Sequence, residues 1–140
     1  MKDSIDSNLK RIGLKITPQR QAIFNLLKGN QTHPSAERIY SEISKKYRGL
    51  SFATVYNTLS KLVEAGEIQE LDIDPEKKRF DPDITPHPHF FCKVCGEIFD
   101  LTYDPFFNLN VKKIGGHQMD TLQLNVKGVC KDCRKKPSSN

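Results

Sequence analysis

The order of apolar and polar positions divides the chain into a helical first half and a strand-rich second half. In residues 3–13, Ile5, Leu9 and Ile12 fall at helical spacing, which predicts a short amphipathic helix stopped near Gly13. Thr17-Pro18-Gln19-Arg20 then reads as a helix start. The Thr hydroxyl can cap free backbone N–H groups, and Pro at the first helical position loses no bond. Ile23, Leu26 and Leu27 form its apolar stripe, ending at Gly29-Asn30. Ser35 can cap a third helix with the stripe Ala36, Ile39, Tyr40, Ile43 and Tyr47. Ser51 opens a fourth, FATVYNTLSKLVEAG, closed by Gly66. At roughly 100° per residue, Phe52, Val55, Leu59, Leu62 and Val63 share one face. Ala53, Asn57, Ser60 and Lys61 lie opposite, flanked by Thr54 and Tyr56.

Period-two alternation takes over beyond this helix. Residues 68–73 and 77–82 read as two strands around Asp74-Pro75-Glu76. Helices followed by a two-stranded hairpin predict a winged helix, in which the last helix before the wing enters the major groove of DNA. Pro82, Pro86 and Pro88 stiffen a connection. HFFCKVC and EIFDL follow as strands with Cys95-Gly96 at the turn. Residues 104–115 suit a short helix, LQLNVKGV (122–129) alternates as a strand, and RKKPSSN reads as a disordered tail. The class is therefore α+β, with a winged-helix domain over 1–82 and a hinge over 83–88. A small α/β dimerisation domain over 89–134 and a tail over 135–140 complete the chain.

Composition sharpens this picture at three points. Hydrophobic residues make up 36% of 140 residues, so two small lobes are each marginal alone, and a metal or a dimer contact would help. Residues 1–61 carry eleven Lys/Arg against four Asp/Glu, a balance of +7, whereas residues 62–82 carry three against seven, a balance of −4. A basic helical half suits a polyanionic partner. No apolar run approaches a membrane span, and MKDSIDSNLKRIG lacks the apolar core of a secretory signal, which points to the cytoplasm. In that reducing compartment, paired cysteines hold metal more often than disulfides.

Candidate chemistry falls on two faces and two clusters. On the recognition helix, Asn57 can bond adenine bidentately and Tyr56 can lie against a thymine methyl, with Thr54 beside them. Lys15, Gln19, Arg20 and Lys61 would supply phosphate or groove contacts. Cys92-x-x-Cys95 and Cys130-x-x-Cys133 are two knuckles that together complete a tetrahedral Zn²⁺ site. The 34 residues between the pairs (96–129) exceed the roughly 15–20 of a common zinc ribbon, leaving room for a helix and a strand. All four positions would be filled, making this zinc structural. His33, Asp81, His87, His89 and Asp100 form the second candidate cluster. His87 and His89 share one side of an extended strand and Cys92 the other, so histidines and cysteines do not naturally share one ion. Spacing alone does not bring His33 to this cluster.

The motifs ITPQR (16–20), HPSAERIY (33–40), SFATVYNTLSKL (51–62), RFD (79–81), HPHFFCKVCG (87–96), IFDL (98–101) and GVCKDC (128–133) resemble those of the ferric uptake regulator family. Within that family the chain is most similar to the peroxide-sensing repressors. The resemblance covers nearly the whole chain. It implies a regulatory Fe²⁺ or Mn²⁺ site of His33, Asp81, His87, His89 and Asp100, and it brings His33 into that site. Peroxide sensors carry Asp at position 100 and Asn at position 57, where iron sensors tend to carry Glu and Arg. The resemblance implies a homodimeric repressor on palindromic operator DNA, with His33 or His87 sensitive to iron-dependent oxidation. The alternative within the family is a repressor responding to iron or manganese level. The extra histidines of a third metal site are missing from THPHPHFF and TLQLNVKG, and His117 is expected at the surface. An oxygenase is disfavoured, since five protein ligands leave little room for substrate and no general base is evident.

Overall fold

The computed structural model describes residues 7, 9–101 and 113–136, and it divides into two compact units at Ile84/Thr85. The first unit holds helices α1 (Pro18–Leu27), α2 (Ala36–Ser44) and α3 (Phe52–Glu64), then strands β1 (Gln69–Leu71) and β2 (Arg79–Asp81). Each helix starts where the sequence places a capping hydroxyl. Thr17 Oγ1 accepts from the N–H of Arg20 at 3.2 Å, Ser35 Oγ from Arg38 at 3.1 Å, and Ser51 Oγ from Thr54 at 3.0 Å. Each cap satisfies a donor that the helix itself leaves unpaired. At the other end of α3, Glu67 N donates to Leu62 O and Gly66 N to Val63 O, the paired closure that needs a left-handed residue. Gly66, at φ 75°, supplies it.

The core of this unit joins one stripe from each helix. Ile23 and Leu27 of α1, Ala36, Ile39 and Ile43 of α2, and Val55, Leu59 and Leu62 of α3 are buried with Leu50, Ile68 and Phe80. Thr58 is fully buried among them, and its Oγ1 donates to Thr54 O at 2.7 Å, so its hydroxyl is satisfied within the helix. Phe52 departs from the expected apolar face: it is 39% exposed, sitting edge-on to Tyr40 with ring centroids 5.8 Å apart. The hairpin is antiparallel, with Gln69↔Asp81, Glu70↔Phe80 and Leu71↔Arg79 in register. Its strands are shorter than predicted because Asp74 folds the connection inward: its Oδ1 accepts from Glu76 N and its Oδ2 pairs with Arg79 at 3.0 Å.

The second unit is built on the sheet β4-β3-β7, from β3 (His89–Cys92), β4 (Ile98–Asp100) and β7 (Asn125–Gly128). Strands β3 and β4 are antiparallel, whereas β3 and β7 are parallel. Between them lie β5 (Lys113–Ile114) and β6 (His117–Gln118), a hairpin turning on Gly115-Gly116 at φ 59° and 82°. This corrects the helix expected over 104–115 at its C-terminal end. Two consecutive left-handed residues make a tight hairpin turn, and no helix accommodates them. His117 is exposed in β6, as expected. Helix α4 (Lys131–Lys135) corrects the tail, since Arg134 and Lys135 belong to it. Of the helix expected over residues 3–13, residues 7 and 9–11 are helical, while residues 3–6 and 8, the expected helix residues 104–112 and the tail residues 137–140 lie outside the described residues. Among the described residues, no helix is long and apolar enough to cross a membrane.

Two outcomes follow. Leu59→Ala empties the centre of the three-helix core and should cost about 2–5 kcal/mol in urea unfolding. Burial alone would raise the pKa of Asp74, but the N–H of Glu76 and the guanidinium of Arg79 more than offset it, leaving the carboxyl below its ordinary 3.8. The stability gap between wild type and Asp74→Asn should therefore be full above pH 3.8 and close as pH falls through the lower folded value.

Candidate functional site

The four cysteines converge at one end of the second unit's sheet. Cys92 closes β3, Cys95 lies in the turn to β4, Cys130 follows β7 and caps α4, and Cys133 lies within α4. Each offers a sulfur, and all four Sγ atoms lie within 4.8 Å of one another. Backbone N–H groups point at the sulfurs: Cys92 Sγ accepts from Cys95 N at 3.5 Å and Cys130 N at 3.3 Å, and Cys130 Sγ accepts from Cys133 N at 3.4 Å. Burial raises the Cys92 thiol, but the N–H groups of Cys95, Cys130 and Val94 bring it down to about 6. A hydrogen bond with Cys130, then burial, push Cys133 up to about 12. Four sulfurs this close cannot all be thiolates without a cation among them. With one, backbone donors, distance and chemistry all fit Zn²⁺.

The nitrogen and oxygen donors are gathered separately within each unit. In the first, His33 is fully buried just before α2, and Asp81 ends β2 at 2% exposure, with His33 Nε2 3.3 Å from Asp81 Oδ2. In the second, His89 begins β3 directly opposite Asp100 of β4. Antiparallel pairing thus places His89 Nε2 3.4 Å from Asp100 Oδ1, and His87 Nε2 reaches the same oxygen at 3.1 Å. The two rings lie 4.3 Å apart, centroid to centroid. The Nδ1 of His87 lies 2.6 Å from the Thr85 carbonyl oxygen, to which its N–H can donate. That tautomer leaves the Nε2 lone pair facing Asp100, the arrangement metal-binding histidines commonly show. Neither group contains sulfur, and both fit Fe²⁺ or Mn²⁺.

The candidate DNA face lies wholly in the first unit. On α3, Tyr56 is 43% exposed and Asn57 is exposed, while Thr54 is partly tied up, its Oγ1 2.9 Å from Ser51 Oγ. Lys61 pairs with Glu64 at 3.6 Å in a solvent-exposed contact of little strength. Lys15 is exposed and Gln19 half-buried at the start of α1. Arg20 donates from Nη1 to Lys15 O at 2.9 Å, so part of its guanidinium serves the loop before α1. Sequence reasoning missed two contributors. Thr85 orients the His87 ring through a backbone carbonyl, which carries no sequence signal. Arg79, in RFD, holds the His33 carbonyl at 2.5 Å, and its only trace was a charged residue inside a predicted strand.

Comparisons with known proteins agree with this arrangement of elements. Residues 11–128 match the model of the ferric uptake regulator family. The peroxide-responsive repressor PerR of Staphylococcus aureus is 36% identical, over 97% of this chain and 93% of its own. Among solved structures, the Helicobacter pylori ferric uptake regulator, which has three functional metal-binding sites, is 27% identical with a TM-score of 0.77, covering 98% of this chain and 93% of its own. PerR from Streptococcus pyogenes, a protein of peroxide sensing and gene regulation, is 28% identical with a TM-score of 0.53, covering 93% and 90%. With motif, fold and donor clusters in agreement, the chain belongs to the ferric uptake regulator family.

Proposed function

We propose that this protein is a metal-dependent, DNA-binding transcriptional repressor that senses hydrogen peroxide through oxidation of its ligand histidines. The carrying observation is the separation of donor types: four sulfurs in one cluster, imidazoles and aspartates in the others. Cys92, Cys95, Cys130 and Cys133 would hold a structural Zn²⁺, closed to substrate. His33, Asp81, His87, His89 and Asp100 would together hold the regulatory Fe²⁺ or Mn²⁺, two donors coming from the first unit and three from the second. Filling that site favours the DNA-competent conformation by its differential affinity, typically about 1–3 kcal/mol.

Iron in that site would supply the one-electron reduction of peroxide that manganese does not. The chain's own part is to present the imidazole to be altered. In His87, Nδ1–H is committed to the Thr85 carbonyl and Nε2 to the ligand side, leaving the C2–H between them. Oxidation replaces that C2–H by C2=O with the proton moving to nitrogen. One peroxide oxygen enters the ring and the other leaves as water. The product donates poorly, and the repressor leaves DNA. His33 is the second candidate for the same change.

Leu122 before the edge strand β7 and Val126 on it are 42% and 38% exposed, a surface suited to a homodimer through the second unit. Two copies of α3 would then address a palindromic double-stranded operator, Tyr56 and Asn57 meeting bases, Thr54 beside them, and Lys15, Gln19, Arg20 and Lys61 meeting the backbone. The setting is the cytoplasm, and peroxide is a signal, not a turned-over substrate. The likeness to the Helicobacter pylori regulator favours a second reading, a repressor of the same kind that responds to iron or manganese level.

Operator binding by the Fe²⁺ and Mn²⁺ forms, before and after low peroxide at one fixed salt concentration, separates the two. Release of the iron form alone, with one oxygen gained on a His33 or His87 peptide, is expected. If both forms hold and only chelation releases them, the protein senses metal level. Asn57→Ala should cost about 1–3 kcal/mol and relax base preference, whereas Lys15→Ala should lower the salt slope by about one for every sequence. Cys130→Ser should abolish bound zinc by elemental analysis and unfold the second unit by circular dichroism.

A further inference from the structure

His33 stands in a backbone conformation that side-chain-bearing residues seldom adopt, φ 53°, while its ring is fully buried. Such a conformation persists only where surrounding contacts fix it. Those contacts come from β2. Phe80 N donates to Pro34 O at 2.9 Å, and Ser35 forms an antiparallel bridge with Arg79. Arg79 Nε donates to the carbonyl of His33 itself at 2.5 Å. The guanidinium is held in turn by Asp74, Nη1 to Oδ2 at 3.0 Å, and the two side chains are only 13% and 10% exposed. Two residues beyond Arg79, Asp81 sets its Oδ2 3.3 Å from His33 Nε2. One short strand therefore delivers both the carboxylate facing the imidazole and the clamp on the same residue's backbone.

We infer that Arg79 is a positioning residue for the regulatory metal site, holding the His33 carbonyl so that the imidazole is aimed beside Asp81, with Asp74 fixing the guanidinium. The inference rests on the reading of His33 and Asp81 as metal ligands. Arginine suits the task because its planar fork can bond a carbonyl through Nε and a carboxylate through Nη at once, which a lysine ammonium cannot do in the same geometry. The alternative is that Arg79 serves only to stabilise the hairpin through Asp74. The two differ in what happens when the histidine is removed.

The test uses the full-length, zinc-loaded protein and Mn²⁺ as probe, with free Mn²⁺ read by electron paramagnetic resonance. Arg79→Ala should weaken Mn²⁺ binding about 10- to 100-fold, the range for partners that orient a metal ligand, while zinc content stays unchanged. Arg79→Lys should restore part of the loss, and it carries the test if the alanine variant does not fold. In the His33→Ala background the same Arg79 substitutions should have no further effect, because the group they position is gone. Equal loss in both backgrounds, or no loss in either, overturns the positioning role. If His33→Ala alone leaves Mn²⁺ affinity intact, the ligand reading itself fails, an outcome distinct from failure of the clamp.

Discussion

A buried imidazole, carboxylate or thiolate must find a partner or cost several kcal/mol, and this constraint shapes both units. His33, Asp81, His89 and Cys92 are each at most 3% exposed. Net stabilities of small domains are only about 5–15 kcal/mol, so four such groups could not be sealed away unattended. The chain attends to them in two ways, with backbone N–H groups at the thiol and imidazole–carboxylate pairing at the others. Cys92 receives two backbone N–H groups, His33 faces a carboxylate, and His89 is set opposite Asp100 by strand register. The arrangements share one property: each sets the direction of a donor atom.

That constraint bears unequally on the two units. The first has a continuous core of three helices and a hairpin, enough apolar surface to hold a strained residue in place. In the second, the buried apolar residues among those described are Pro88, Phe91, Cys92, Ile98 and Cys130. Two of these five carry sulfurs of the four-cysteine cluster. Where a larger domain would use leucines, this one packs with the same sulfur atoms that gather in the four-cysteine cluster.

Local signals were legible in the sequence and non-local ones were not. Thr17, Ser35 and Ser51 marked the helix starts because a cap acts within three residues of itself. The cysteine spacing announced a four-sulfur cluster, and the pairing of His87 with His89 followed from strand periodicity. The helix expected over 104–115 ran up to Gly115, yet two successive positive φ values at Gly115-Gly116 turn a hairpin instead, a choice between one left-handed residue and two that composition does not make. Phe52 fell on the apolar face by angle, but at the first turn of α3 it found Tyr40 rather than the core. The parallel course of β7 beside β3 was invisible, because alternation records which residues share a face and not which strand lies alongside. The contact between Arg79 and His33 spans 46 positions and left no local trace.

The parallel pairing of β3 with β7 has a kinetic side. Its register joins His89 to Asn125 and Cys92 to Gly128, so no hairpin turn can bring these strands together and the intervening chain must be looped first. Loop closure of that kind is paid in entropy before any contact rewards it, which makes such pairings slow to form. Cys130 lies two residues past the end of β7, and an ion caught early between the two cysteine pairs would close the loop ahead of the sheet. The rate at which a newly made chain acquires its second unit would then follow the supply of that ion.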